Sequence, residues 1–367
     1  AVSFAENGVG ADMPSMDTLP SPQQQLHLVV GTAPSPFAAA DAAAGASDSG
    51  GLPGAQLHTY MLGSSVGLTL QHSTTVEAGV RAVCEVNGLL AAAVGSSLCL
   101  FRLGTKRLLR VARAAPLGSP IATLVPMPST SAALPIRLAA TTVAGSLAVF
   151  AYVQAAGTLH VESVSLTPNA ATSLAVPDTR SLVSGDRWGR LSLSLAPSSS
   201  KTGVMAKKVT VLPRSRGTKA HVPDSTAGQL ELRAVAEVAS PIVSLSCVPA
   251  VPTSGTSTSL PSPAVLVTTV SGASAALVPL VSKSEENLLR NVEREVEREI
   301  ARTTGDESDR DATWVATRRG NSRVVRGDVL LLFSRLDEAQ RASVAEAVDS
   351  TVDEVDRALA TLTARLA

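Results

Sequence analysis

The chain has 367 residues, enough for one large domain and a smaller one, and 31 basic residues balance 31 acidic ones. This zero net charge excludes binding to nucleic acid or membranes through overall charge, although local basic patches stay possible. Aromatic residues are only 2% of a chain that is 45% hydrophobic, so its core must be built from Ala, Val and Leu. No apolar run reaches the ~18 residues of a membrane helix, and the N-terminal AVSFAENGVG does not resemble a signal peptide.

Cysteine usage indicates a reducing compartment. Cys84, Cys99 and Cys247 are an odd number without CxxC spacing, and each lies among apolar residues of a predicted strand. We therefore expect three free, buried thiols. The sequence also begins without a methionine, and we expect it to be part of a longer protein.

The first third of the chain is predicted to form strands. A short strand at Ala1–Ala5 is followed, after a polar loop, by LHLVVGTA at Leu26–Ala33. Residues 33–54 are rich in Ala, Gly, Ser and Pro and bury too little surface to order themselves, so we expect a flexible insert. The strand pattern resumes at LHTYML, and Asn87-Gly88 between two strand-like runs predicts a tight hairpin.

A two-strand unit recurs along the chain. In each copy an apolar strand reaches a Gly-containing turn, and an alternating strand leaves it. The copies are LHLVVGTA with LHTYML, LLAAAVGSSLCLFRL, LAATTVAGSLAVFAYV, LVSGDRWGRLSLSL and LVTTVSGASAALVPL, with a second flexible insert at residues 197–228. Recurrence every 40–50 residues or so, without helices between, predicts propeller blades of about four strands. A β-sandwich uses the same alternation but does not need the recurrence.

Helices are predicted after the last strand pair. A charged helix from about Ser284 to Arg302 carries one apolar stripe: Leu288, Leu289, Val292, Val296 and Ile300. VLLLF near residue 330 is predicted to be a buried strand or the start of a helix. Farther on, Asp337 with Gln340 and Thr351 with Glu354 have capping-box spacing for two more helices.

The C-terminal helices carry a heptad-like apolar stripe. Its members are Val344, Val348, Val352, Val355, Leu359, Leu362 and Leu366. We expect this stripe to pack on the propeller or on the Leu288–Ile300 helix. The alternative is a dimeric coiled coil.

The order of these motifs resembles a known family. VRAVCEVNGLLAAAVGSSLCLFRLGTKRLLR, SGDRWGRLSL, VTTVSGASAALVPLVSKSEENLLRNVE and VVRGDVLLLF follow one another along the chain. In that order they resemble the C-terminal part of the three-propeller scaffold family. This family includes splicing factor 3B subunit 3, the damaged-DNA-binding protein large subunit, and the large subunit of the cleavage and polyadenylation specificity factor. FRLGTKRLLR, GDRWG and the short segment after RGDV are most similar to the splicing branch, whereas Ala/Ser enrichment, few aromatics and the inserts depart from the family.

The resemblance implies an all-β propeller of the seven-bladed type at residues 1–283 and a small α-helical C-terminal domain at residues 284–367. It also implies upstream propellers, on the same or another chain, and we expect missing chain to complete the ring. It implies a nuclear, non-enzymatic scaffold that supports branch-site recognition by the U2 small nuclear ribonucleoprotein in pre-mRNA splicing. The expected partners are the large helical-repeat subunit and the small accessory subunit of splicing factor 3B, with only peripheral RNA contact. The alternatives within the family are a cullin ubiquitin-ligase adaptor and a scaffold for pre-mRNA 3′-end cleavage and polyadenylation.

No residue pattern indicates catalysis, a metal or a cofactor. The five histidines lack metal-binding spacing, and His27, His58 and His160 fall in alternating strands. GDRWG leads into a strand rather than a helix, so it offers no helix N-terminus to phosphate. An enzyme that uses the central channel of the propeller is the remaining alternative of another class.

Protein interfaces are predicted at two places. Trp188 lies between Arg187 and Arg190 on a tight turn, and Trp and Arg are frequent in interface hot spots. The alternative is that the indole fills the gap between two blades. The helical candidates are Leu288, Val292, Val296, Val355, Leu359 and Leu362.

The second insert is a candidate for RNA contact. Lys207, Lys208, Arg214 and Arg216 lie in a segment without acidic residues, which favours phosphate binding. The segment has no aromatic residue for base stacking, so it would not read sequence. A solvated loop is the alternative, and the cluster of Arg318, Arg319, Arg323 and Arg326 has the same two interpretations.

Overall fold

The computed structural model describes residues 2–5, 26–32, 55–62, 67–104, 106–129, 134–165, 170–197, 228–238, 240–248, 263–280, 282–304 and 324–365. The two predicted inserts lie outside these residues, apart from Pro197 and Gly228. The chain divides into two compact units. The first contains Ala1–Arg180 and Ala196–Glu231, and the second contains Ser181–Leu195 and Leu232–Ala367.

The first unit contains three antiparallel sheets whose strands neighbour one another in chain order. The first sheet is β1 (Val2–Ala5), β2 (Leu26–Gly31), β3 (Gln56–Leu62) and β4 (Leu68–Thr75). The second is β5 (Val80–Val86), β6 (Leu89–Val94), β7 (Ser97–Arg102) and β8 (Leu109–Arg113). The third is β9 (Ile121–Pro126), β10 (Ile136–Thr142), β11 (Leu147–Val153) and β12 (Thr158–Val164). The unit also contains β13 (Ala171–Ala175) and β16 (Gly228–Gln229), which pairs in parallel with β12.

The second unit contains strands followed by helices. One sheet includes β14 (Ser181–Asp186), β15 (Arg190–Leu195) and most of β17 (Glu231–Glu237). Another is β18 (Ile242–Val248), β19 (Ala264–Thr269) and β20 (Ser274–Leu277). The helices are α1 (Lys283–Thr304), α2 (Gly327–Leu332), α3 (Glu338–Ala347) and α4 (Val352–Ala364).

All five predicted repeat copies are antiparallel hairpins. They are β2–β3, β6–β7, β10–β11, β14–β15 and β19–β20. The hairpin predicted at Asn87-Gly88 joins β5 to β6, and both residues have positive φ, 49° and 73°. The largely antiparallel β architecture and the C-terminal helices are therefore confirmed. The seven-bladed number and closure by another chain stay predictions.

The core of the first unit consists mainly of Ala, Val and Leu, as the composition predicts. All six residues of β6, LLAAAV, are buried. Such a continuous apolar run is typical of a strand that is covered on both faces. Phe150 and Tyr152 are among the few aromatic side chains in this core.

The change from strands to helices falls where the sequence predicts it. The last strand ends at Leu277, and α1 begins at Lys283, one residue before the predicted start. VLLLF forms α2 and continues into a 3₁₀ turn at Phe333–Arg335, so its helical interpretation is confirmed. The two compact units divide the chain at other residues, and the domain boundary at residue 283 stays a prediction.

The four helices pack around one small core, and together they are called the helical module. Both predicted capping boxes are present: Asp337 accepts from the Gln340 N–H at 2.8 Å, and Thr351 from the Glu354 N–H at 3.3 Å. The buried core comprises Leu289, Val292, Val296, Val329, Leu330, Phe333, Val344 and Val355. Apart from Leu366, which lies outside the described residues, the C-terminal stripe thus packs on the Leu288–Ile300 helix, as expected. A dimeric coiled coil would need side chains that this core already buries.

Candidate protein interface

The hairpin β14–β15 ends in a turn that is organised by its own aspartate. The buried Asp186 carboxylate accepts hydrogen bonds through Oδ1 from the backbone N–H groups of Trp188, at 2.9 Å, and Arg190, at 2.8 Å. Asp is favoured in such turns because its short side chain can bond the backbone two residues on. Asp186 therefore fixes the backbone that carries the Trp188 indole.

Gly189 is required by the same turn. Its φ is +86°, and a Cβ at this position would lie 2.2 Å from the carbonyl oxygen of Val238 and 2.8 Å from that of Ser240. The Val238 N–H donates to the Gly189 carbonyl at 2.7 Å. Only glycine allows this close approach, and the approach ties the turn to the segment after β17.

Trp188 is 64% exposed at the tip of the turn. The guanidinium of Arg187 lies 4.4 Å from the centroid of its ring. A cation–π contact of this kind contributes about 0.5–1 kcal/mol at exposed sites and limits the motion of both side chains. This exposure contradicts the alternative in which the indole fills the gap between two blades, and it leaves a preordered Trp–Arg pair available to a partner.

The turn of β19–β20 is held by the same segment. Its Val270 is 68% exposed, and the Val270 N–H donates to the Pro241 carbonyl at 2.9 Å. The next N–H, of Ser271, donates to Ser240 Oγ at 3.3 Å. Because Ser240 also borders Gly189, both turns lie on one edge of the second unit. We call Arg187, Trp188, Arg190 and Val270 the turn site.

Sequence reasoning finds the first three residues of the turn site but not Val270. A signal was present: Ser119-Pro120-Ile121 and Ser240-Pro241-Ile242 repeat the same tripeptide before β9 and β18. Each tripeptide holds a hairpin turn with an apolar tip. The strand-pair repeat does not extend to these tripeptides, so it does not predict which residues lie at the tips of the turns.

The helical candidates divide into buried and accessible residues. Val292, Val296 and Val355 are fully buried in the core of the helical module, so they cannot contact a partner while the module is folded. Their assignment to an interface is corrected: the apolar stripe faces the neighbouring helices. Leu288, Leu359 and Leu362 are only partly buried against the same core and keep accessible surface.

The predicted RNA contacts Lys207, Lys208, Arg214 and Arg216 lie outside the described residues. So do Arg318, Arg319 and Arg323 of the second basic cluster. Arg326 is described, and it forms ion pairs with Asp328 at 2.7 Å and Glu297 at 3.5 Å. Its charge is therefore already compensated within the helical module.

The cysteine thiols lie on strands, and two of the three are buried. Burial raises the pKa of Cys84 to about 12 and also raises the pKa of Cys99, so neither thiol is an activated nucleophile. Cys247 is exposed on β18, which corrects the expectation that all three thiols are buried. Most residues of β18 are exposed, so the described residues do not cover the strand on both faces.

The histidines likewise follow the strand pattern. His27 and His72 are buried, His160 is exposed, and His58 Nδ1 lies 2.8 Å from Ser73 Oγ. Within the described part of the chain, no group of three or more His, Cys, Asp or Glu is placed to hold a metal. None of the helices in that part has the length and hydropathy to cross a membrane.

The chain was compared with models of known protein families. A family model described as the CPSF A subunit region matches residues 1–310. The matched range contains every strand described above, the turn site and helix α1. No curated protein matches the chain.

Proposed function

Because the chain belongs to the CPSF A subunit region family, which is a β-propeller family, we propose that it is a non-enzymatic scaffold subunit of the splicing factor 3B complex. In this role it works in the nucleus, as part of the U2 small nuclear ribonucleoprotein. It supports branch-site recognition in pre-mRNA splicing through protein–protein contacts.

The turn site is the observation that carries the scaffold role. Trp188 is large, exposed and flanked by two arginines, and Trp and Arg dominate interface hot spots. Asp186 and Gly189 fix the turn before any partner arrives, which reduces the conformational entropy lost on binding. A rigid, exposed indole of this kind favours recognition of another protein.

The choice of the splicing branch is supported by the order of the motifs. FRLGTKRLLR, which runs from the end of β7 to the start of β8, and GDRWG, at the turn of β14–β15, resemble that branch most. We assign the large helical-repeat subunit to the turn site. We assign the small accessory subunit to the accessible edge of the helical module at Leu288, Leu359 and Leu362.

Affinity purification of the endogenous protein from nuclear extract tests the proposal. Mass spectrometry and RNA sequencing of the purified material should show U2 RNA together with the large helical-repeat subunit. Recovery of a cullin without U2 RNA would instead support the ubiquitin-ligase adaptor. Recovery of cleavage and polyadenylation factors without U2 RNA would support the 3′-end scaffold.

A further inference from the structure

The hairpin β7–β8 concentrates positive charge in a protein whose formal net charge is zero. From residue 102 to residue 113 the sequence RLGTKRLLRVAR contains five basic residues and no acidic one. All five are exposed: Arg102, Lys106, Arg107, Arg110 and Arg113. We call these five residues the basic hairpin.

A β-bulge places two of these arginines on the same side of the strand. Arg110 is opposite Phe101, but Ala112 is opposite Leu100, so Val111 is an extra residue on β8. Residues three apart on a regular strand point to opposite faces, and a bulge re-aims one of them. As a result Arg110 and Arg113 both reach the carboxylate of Glu77, Arg110 Nη1 at 2.9 Å from Oε1.

Glu77 compensates only part of this charge. Two guanidinium groups share its one carboxylate, and hydrogen bonding from Arg110 lowers its pKa, so it is ionised at neutral pH. All three side chains are about half exposed, and exposed ion pairs of this kind add little stability. The described residues supply no ion pair to Arg102, Lys106 or Arg107. About four positive charges are therefore available to an external anion.

A cavity of about 510 Å³ lies beside the basic hairpin. Arg107, Arg110, Thr74 and Thr75 line it on the polar side, together with Glu77, and the remaining lining is mostly apolar. Guanidinium groups present paired N–H donors that match the oxygens of phosphate, and charge-assisted hydrogen bonds are stronger than neutral ones. Because Glu77 is already paired with Arg110 and Arg113, the arginines of the lining still suit a phosphate group at the cavity mouth.

The ligand is recognised by its backbone rather than by its bases. Phe101, the aromatic residue of β7, lines the cavity but is only 4% exposed, so it offers too little ring surface for a base to stack on. Contacts from Lys and Arg to phosphates carry no sequence information by themselves. The arrangement fits a chain of phosphates of any sequence.

We propose that the basic hairpin, with the cavity beside it, binds the phosphate backbone of single-stranded RNA without sequence preference. The arrangement of charges favours a polyanion whatever the function of the protein. The choice of RNA over an acidic protein segment rests on the proposed function. This site is separate from Lys207, Lys208, Arg214 and Arg216, to which the sequence assigns RNA contact.

Fluorescence anisotropy of a labelled oligouridylate, titrated with the purified full chain at several KCl concentrations, measures the effect. Each phosphate neutralised on a single strand contributes about −0.7 to the slope of log affinity against log salt, so four charges give a slope of roughly −3. The double variant Lys106→Ala/Arg107→Ala should make this slope shallower by about 1.4 and lower the affinity at least about tenfold at low salt. Arg335→Ala/Arg357→Ala removes the same charge from exposed positions of the helical module and should leave the slope unchanged.

Glu77→Gln is the decisive variant because it should improve binding. Without its carboxylate, both arginines are free for phosphate, so affinity should rise severalfold and the slope should steepen by about 0.7. A merely structural role of Glu77 predicts no gain. Measuring the thermal midpoint of each variant separates loss of binding from loss of folding.

Three outcomes would overturn the inference. They are no binding of the oligouridylate at low salt, binding that Lys106→Ala/Arg107→Ala and Glu77→Gln leave unchanged, and variant-sensitive binding of poly-glutamate in place of RNA. The second outcome would assign RNA contact to another surface, and the third would assign the hairpin to an acidic protein. Because these titrations use the purified chain alone, their failure is distinguishable from failure to recover U2 RNA and splicing subunits from nuclear extract.

Discussion

The turn of β10–β11 in the first unit and the turn of β14–β15 in the second have similar shapes but different supports. In the first, the Val143 N–H donates to the Pro120 carbonyl at 2.8 Å and the Ala144 N–H to Ser119 Oγ at 3.2 Å. In the second, the Asp186 carboxylate of the turn itself accepts from two backbone N–H groups. The first turn combines the preceding Ser-Pro segment with one internal bond, from the Ser146 N–H to Thr142 Oγ1 at 3.1 Å, whereas the second combines its own aspartate with the bond from the Val238 N–H to the Gly189 carbonyl.

The turn of β19–β20 shows that the external support is a repeated device. Ser240 and Pro241 bond Val270 and Ser271 in the same way that Ser119 and Pro120 bond Val143 and Ala144. Both externally held turns carry a valine at the tip, 55% exposed at Val143 and 68% at Val270. Only the turn with its own aspartate carries a tryptophan.

Substitution of Gly189, in the turn of β14–β15, and of Gly272, in the turn of β19–β20, should give the largest difference in stability. Gly189→Ala places a Cβ 2.2 Å from the Val238 carbonyl oxygen at positive φ, so backbone must move. We expect a loss of more than about 3 kcal/mol in the free energy of unfolding, measured by urea denaturation. Gly272→Ala has positive φ but nothing within 4 Å, and we expect a loss of only about 1 kcal/mol. Equal losses in the two variants would contradict the close approach at Gly189.

Removal of the indole should affect binding rather than folding. Trp188→Ala should weaken binding to the large helical-repeat subunit by about 2 kcal/mol or more, roughly thirtyfold, as for a hot-spot residue. The free energy of unfolding should change by less than about 0.5 kcal/mol because the side chain is exposed. Isothermal titration calorimetry with the purified subunit measures the first effect. Leu331→Ala, another large exposed side chain of the second unit, is the matched control and should bind normally.

Removing the side chain that accepts the backbone hydrogen bonds of each turn should show how much each acceptor contributes to stability. Asp186→Ala leaves two backbone N–H groups without their acceptor, and we expect a loss of about 2 kcal/mol in the free energy of unfolding. Ser240→Ala loses one hydrogen bond of 3.3 Å and should cost about 0.5–1 kcal/mol. Chemical denaturation of both variants provides the comparison. A larger loss for Ser240→Ala than for Asp186→Ala would show that the bond from the Ser-Pro segment contributes more than the aspartate to the free energy of unfolding of the second unit.

Much of the local structure could be predicted because it depends on residues that are close in sequence. The Asn87-Gly88 hairpin, both capping boxes and all five repeat hairpins follow from turn chemistry, helix capping and strand periodicity. The exposure of Cys247 could not be predicted. An alternating strand indicates two faces but not which of them another element covers.

The candidate site was predictable only in part for the same reason. Trp188 and its arginines stand out as residue types, but their exposure depends on Val238 and Ser240, which lie some fifty positions away. The spacing of Val292, Val296 and Val355 predicts their apolar stripe correctly, yet periodicity alone does not distinguish a face that packs internally from one that binds a partner. Contacts distant in sequence decide both questions.

The two units should also differ in their response to acid. All five histidines of the sequence lie in the first unit, and burial lowers the pKa of His72, with nearby His27 adding to the effect. As the pH falls, a base whose pKa is lower in the folded state is protonated in the unfolded chain before it is protonated in the folded one, and this favours unfolding. Its contribution to stability is therefore complete at neutral pH and is lost as the pH falls below about 6.5, the ordinary value for His.

We expect the free energy of unfolding of the first unit to fall by up to about 1.4 kcal/mol per pH unit for one such histidine. Hydrogen exchange followed by mass spectrometry between pH 7.5 and 5.5, corrected for the intrinsic rate, resolves the two units separately. His72→Gln should flatten the dependence in the first unit, whereas His160→Gln, at an exposed strand position, should not. Equal acid sensitivity in the second unit, which contains no histidine, would show that carboxylates rather than His72 control the response.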